Sequence, residues 1–330
     1  MGLPITILID DPAPLINVYW WHAHEREPAG PPTQDSGEPV ERLIPTDFLR
    51  QFVDVIERRG VRGKFSVLPY PAGLGPIDEG WPGCDRGALE EWLDLVRQRV
   101  TPLMDITPEI LTHARAVDLE TMTLLDENER DWSRRQTADA LTPYIAHALQ
   151  ILGRVGLSAA GVTSPWNFGS EVEDHYREAI CRAMRAMGRG QTWYFLHADD
   201  EGTRFRSQVV RRDGEGWLVS LWSQVDDYLW ATMETSAAGP EYVGHVADSY
   251  LTADGRGGRL AQLFAAGTPM VMCTHWQSLY SNGRRTGLRI LDEVCRRARG
   301  LWDDQVTWTS CSDLARGIAD GTCGPSAGGP

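Results

Sequence analysis

Residues 4–10, PITILID, form an unbroken apolar, β-branched run that stops at two adjacent carboxylates, Asp10 and Asp11, and Pro12. Such a run reads as a buried parallel strand whose C-terminal end carries the polar chemistry. A loop with LINVYWW and a Pro/Gly-rich stretch at 28–39 follows. From Ile44 to Gly60, Phe48, Phe52, Val55 and Ile56 recur at helical spacing behind Pro45-Thr46-Asp47, and VRGKFSVLPYP (61–71) reads as a second buried strand. Strand, helix and strand in this order demand a crossover connection and hence a parallel sheet.

The alternation continues along the chain. Helices are expected over 87–99, 136–155, 171–188, 256–266, 285–299 and 312–319, with a short element at 107–114. Strands are expected at LSAAGV, at 191–197, at TPMVMCTH and at QVTWTS, with a hairpin of 206–212 and 216–222 turned at Asp213-Gly214. The pattern has no repeat and no linker, so a single α/β barrel domain over 1–319 is favoured over two domains, with a flexible tail at 320–330.

The formal net charge of -14 argues against nucleic acid and anionic membrane as partners. No apolar run reaches the roughly 20 residues that span a bilayer, and no signal peptide is visible. The six cysteines lack a CxxC spacing and read as reduced thiols of a cytoplasmic protein. Lys64 is the only lysine; the bias toward arginine is read as codon usage.

In barrels the active site lies where strands end and βα loops begin. Polar residues stand at four such places: Asp10-Asp11, the segment around His113, Thr163-Ser164-Pro165-Trp166, and Thr274-His275-Trp276. Adjacent carboxylates point to different sides, so one can bind a metal while the other acts as a base. His275 can protonate a leaving group or bind a metal. Asp118, close to His113, can add an oxygen ligand. His22 and His24, two apart on a segment expected to be extended, would share a face and could share a metal. Of the 13 tryptophans, Trp20, Trp21, Trp166, Trp222, Trp230 and Trp276 lie at or near expected loops, where rings can stack on a sugar.

The series ILIDD, GVRGKFSVLP, EILTHARAVD, GVTSPWNFG and TPMVMCTHWQ resembles, in order over most of 4–318, the polysaccharide deacetylases of carbohydrate esterase family 4. That resemblance implies a distorted (β/α) barrel, here with an inserted segment at about 197–255, and removal of acetyl groups from sugars with one divalent metal, zinc above all. It implies Asp10 as the base, Asp11 and His113 as metal ligands, and His275 as the general acid. Trp21, Pro165, Trp166 and Trp276 become candidates for contacting a carbohydrate substrate. Two positions depart from the family pattern: Val117 stands where a second ligand histidine belongs, and Thr163 begins the segment where an arginine would orient the base. Asp118, His22 or His24 would then complete the metal site. Asp226, Asp227 and Trp230 echo a further family motif. The expected activity is hydrolysis of an amide or ester on a sugar-like molecule. The alternatives are a metal-free acid–base lyase, isomerase or glycoside-cleaving enzyme, and a non-catalytic carbohydrate-binding barrel.

Overall fold

The computed structural model describes residues 2–26, 33, 34 and 37–323, and the side chains of all of these but 24–26. The first strands are β1 (Leu3–Asp10), β2 (Gly63–Val67), β3 (Met104–Pro108), β4 (Arg115–Asp118), β5 (Thr123–Asn128) and β6 (Val162–Thr163). They are followed by β7 (Gln191–Ala198), β8 (Gln208–Asp213), β9 (Gly216–Ser223), β10 (Met270–His275) and β11 (Val306–Trp308).

The fold is mixed α/β around parallel strands. One sheet runs β10-β1-β2-β3, with β11 on the first residues of β1; a second runs β6-β7-β9-β8. Pairings among β10, β1, β2 and β3, and among β6, β7 and β9, are parallel, as crossover connections require. At the two seams between the sheets, pairing is reduced to isolated parallel bridges: Ile106–Ala159 and Glu109–Thr163 on one side, Val225–Met272 on the other. In register, Asp10 sits directly beside His275 on the neighbouring strand.

Helices cover the sheets. The first is α1 (Val18–Arg26). Next comes α2 (Thr46–Arg59), which buries Phe48, Leu49, Phe52, Val53, Val55 and Ile56 and closes on Gly60 at φ 68°. That left-handed backbone is open to glycine at little cost, and its N–H satisfies the carbonyls of the last turn. Among the described residues no helix is long and apolar enough to cross a membrane. The expected tail begins in a turn at 321–323; residues 324–330 lie outside the described ones.

Two expectations are corrected here. The segment read as a loop with LINVYWW contains α1, so positions 22 and 24 lie on a helix, about 200° apart around its axis, and not on an extended segment. The apolar run 18–21 has no helical period, which hid the helix. The stretch after His113, for which the sequence carries no expectation, is an antiparallel β4–β5 hairpin, turned at Met122 with φ 55°. The segment 197–255 is no simple insertion. Its β9 pairs with β7 along Gln191–Ala198 and leads into the Val225 bridge, while β8 is the added edge.

Candidate active site

The C-terminal ends of β1, β3, β6, β7 and β10 open into one pocket of about 470 Å³. Asp10, Asp11, Glu109, His113, Trp166 and His275 are among the residues that line it, with Tyr19, His22 and Trp230 at its aromatic wall.

Asp11 leaves β1 with a left-handed φ of 65°. Its N–H donates to Glu109 Oε2 at 2.9 Å, and Gln277 Nε2 donates to its Oδ2. Its Oδ1 is buried without a hydrogen-bond partner, although His113 Nε2 lies 3.1 Å away. The separation is that of an ion pair, while the geometry falls short of a hydrogen bond. Ligand atoms of Asp11, Glu109 and His113 all lie within 4.8 Å of one another, and all three residues are buried. Two carboxylate oxygens and an imidazole nitrogen suit a divalent ion such as zinc, and an orphaned buried oxygen is the kind of group such an ion satisfies. This trio can hold a metal.

The electrostatics agree with a site built to balance clustered charge. Burial opposes ionisation of Asp11, yet the nearby charge of His113, with that of His275 and the hydrogen bond from Gln277, holds its carboxyl far below the usual range. Glu109 is pushed well above its ordinary value by burial and by the charges of Asp10 and Asp11. His113 is raised from 6.5 to about 9, because Asp11 outweighs the burial that opposes its charge.

His113 itself has φ 50°, a conformation a non-glycine residue adopts only when held. The holder is Glu129, the first residue of α4 (Glu129–Ser133). Its carboxylate accepts from the N–H groups of Thr112 and His113 at 2.9 and 2.8 Å and from Tyr144 Oη at 2.7 Å.

His275 is set by Asp227. The carboxylate receives His275 Nδ1 at 2.8 Å and its N–H at 3.1 Å, along with the hydroxyls of Thr274 and Ser278. Burial opposes the imidazolium, but the Asp227 hydrogen bond and the charges of Asp11, Asp227 and Asp10 raise it from 6.5 to about 10. Some 31 % of the side chain stays open to the pocket, where a reacting group can reach it.

The sequence candidates therefore separate. Asp10, Asp11, His22, His113, Trp166 and His275 come together. The His22 ring stacks on His113 with centroids 4.7 Å apart, but His22 Nε2 is taken by the carbonyl and ring of His113. Asp118 stays outside the cluster, its carboxylate accepting the turn N–H groups of Glu120 and Thr121. The side chain of His24 lies outside the described ones. Pro165 is buried, and its carbonyl receives Phe168 N–H in the turn that carries the exposed Trp166. Trp21 packs against Trp20 and beneath the Arg42 guanidinium, away from the pocket. Trp276 is a core residue: it starts α10 (Trp276–Tyr280), is fully buried, and meets Phe48, Phe52 and Phe65. The helix begins immediately after His275 and turns this indole inward. Val117, at the place of the absent histidine, is a buried strand residue of β4.

Glu109, Gln277 and Asp227's hold on His275 escaped the sequence reading. The available signal for Glu109 was its place: a carboxylate directly after the buried strand MDITP, four residues before His113.

No family model and no curated protein matches the chain. Among solved structures it is similar to a Mycobacterium smegmatis protein assigned as a polysaccharide deacetylase, at 13 % identity and a TM-score of 0.49, over 100 % of this chain and 96 % of that one. It is also similar to 4-alpha-glucanotransferase from Thermococcus litoralis, at 13 % identity and a TM-score of 0.45, over 95 % of this chain and 40 % of that one. A third likeness is to a mutant of a carbohydrate esterase family 4 pseudoenzyme, at 8 % identity and a TM-score of 0.43, over 95 % and 67 %. Two of the three bear names from the deacetylase family, and none of them assigns a residue of this chain its role.

Proposed function

We propose that the chain is a metal-assisted hydrolase that cleaves an amide or ester, in the manner of a sugar deacetylase, on a single distorted (β/α) barrel domain over 1–319. The observation that carries this reading is the pocket itself. It joins a carboxylate at Asp10, an imidazole at His275 held by its own carboxylate, and an unpartnered Asp11 Oδ1 facing His113 beside Glu109.

Asp11, Glu109 and His113 would hold the metal, and a bound divalent ion polarises a carbonyl and makes water more acidic. Asp10 takes the proton of the attacking water. His275, kept as imidazolium by Asp227, gives a proton to the departing amine or alcohol. Trp166, Tyr19 and Trp230 supply apolar faces suited to a sugar ring.

The test is elemental analysis of protein purified without chelators, followed by an assay of acetate release from N- and O-acetylated sugars with and without added zinc. Bound metal and metal-dependent acetate release are expected. Protein with no metal affinity and no acetate from either substrate class overturns the proposal. One observation favours a second reading: Asp11 and His113 lie at ion-pair distance and can balance each other without a metal. Metal-independent turnover that needs Asp10 and His275 would identify an acid–base lyase or isomerase instead.

A further inference from the structure

Lys64 is the only lysine of the chain, and it is completely buried. It occupies β2, next to β1, where alternation sends Phe65 outward to Phe52 and Trp92 and leaves Lys64 and Ser66 facing inward. A lone ammonium taken out of water costs several kcal/mol unless its charge and its three N–H groups find partners. Here they do. Lys64 Nζ forms an ion pair with Asp10 Oδ1, donates to Ser66 Oγ, and stands 5.0 Å from the centre of the Phe195 ring. Ser66 is itself locked in a triangle of hydroxyls with Thr107 and Thr163, each contact 2.9–3.0 Å.

Lys64 does not line the pocket, so it cannot meet a substrate as a nucleophile. Asp10 does line it. Of the Asp10 oxygens, Oδ1 is occupied by Lys64 and Ser66, while the partner of Oδ2 is the weak thiol donor of Cys273 at 3.4 Å. The carboxylate is thus pinned by one oxygen and presents the other.

We propose that Lys64 is a positioning residue for Asp10. From behind the pocket wall it fixes the rotation of the carboxylate through Oδ1 and sets a buried positive charge against it, leaving Oδ2 to accept a proton. The pairing stands on geometry alone; the use made of Oδ2 rests on the hydrolytic role proposed above. The hydroxyl triangle holds Lys64 in place in turn, because the Thr163 hydroxyl bonds to Ser66 and Ser66 accepts from Lys64.

The sole lysine makes the test direct. Protein labelled with ¹⁵N-lysine carries one ammonium signal, expected to be visible at neutral pH because its protons are buried and bonded. Asp10→Asn is expected to shift that signal or exchange it away, and an identical signal in Asp10→Asn overturns the pairing. Lys64→Met is expected to lower kcat for acetate release by about 100-fold with KM little changed. The double variant Lys64→Met/Asp10→Asn is expected to regain the melting temperature lost in Lys64→Met without regaining turnover. A folded Lys64→Met protein with the wild-type kcat overturns the positioning role. Should Lys64→Met not fold, the ammonium signal in Asp10→Asn still decides the pairing. If wild-type protein releases no acetate, the hydrolytic reading falls and the ammonium signal alone decides whether Lys64 and Asp10 are coupled.

Discussion

The backbone N–H of Asp11 donates to the side chain of Glu109 at 2.9 Å, a contact that joins the end of β1 to a residue 98 positions later. One carboxylate thus does two things: it holds the left-handed turn at Asp11 and stands within ligand distance of Asp11 and His113. Glu109→Ala should lose both. Zinc affinity measured by calorimetry on chelator-stripped protein should fall by about 10- to 100-fold, as for groups that ligate or orient ligands. Asp118→Ala should leave it unchanged, since that carboxylate is engaged in its own turn.

Asp227 governs when His275 carries its proton. Because the folded His275 is raised from 6.5 to about 10, its contribution to stability is complete below pH 6.5 and is lost as pH rises through about 10. Urea midpoints of wild type and Asp227→Asn should therefore differ most near pH 6 and converge toward pH 10. In the same variant the alkaline limb of kcat/KM should move to lower pH, and His275→Ala should lower kcat by roughly 10²–10⁴-fold.

Glu129 is a buried carboxylate with three donors and no contact to the pocket. Burial raises it to about 6, against the hydrogen bond from Tyr144 and those from the Thr112 and His113 backbone. Glu129→Ala leaves those donors unpaired and should cost about 2–4 kcal/mol in urea unfolding, at roughly 1–3 kcal/mol per orphaned group with partial rescue by water. It should also weaken zinc binding, because the φ of 50° at His113 loses its support.

The two tryptophans that flank the expected site loops should behave oppositely. Trp276→Ala opens a hole among Phe48, Phe52 and Phe65 and should cost about 3–5 kcal/mol by chemical denaturation. Trp166 is 43 % exposed at the pocket rim, so Trp166→Ala should leave the unfolding midpoint near wild type and raise KM for a sugar substrate.

What the sequence disclosed follows from how locally each feature is encoded. The run PITILID, the acids that end it and the His closing MVMCTH declare themselves within ten residues, and the register of β1 on β10 places Asp10 beside His275. Long-range pairings are another matter. Glu109 and Asp227 are ordinary acids until the seam between the two sheets brings β3 and the Val225 bridge to the pocket. Trp276 looked like a loop aromatic because the helix that turns it inward is only five residues long. Lys64 looked like a by-product of composition because nothing adjacent to it in sequence reveals that Asp10 lies across the strand.

That lysine leaves the folded surface without a single side-chain amine, its positive charge there being carried by arginine. Acylating reagents that attack lysine should find no side chain to modify in the native protein and one in the unfolded chain. The rate at which Lys64 becomes acylated is then a clock for the opening of the protein interior behind the pocket, readable on an intact chain by mass alone.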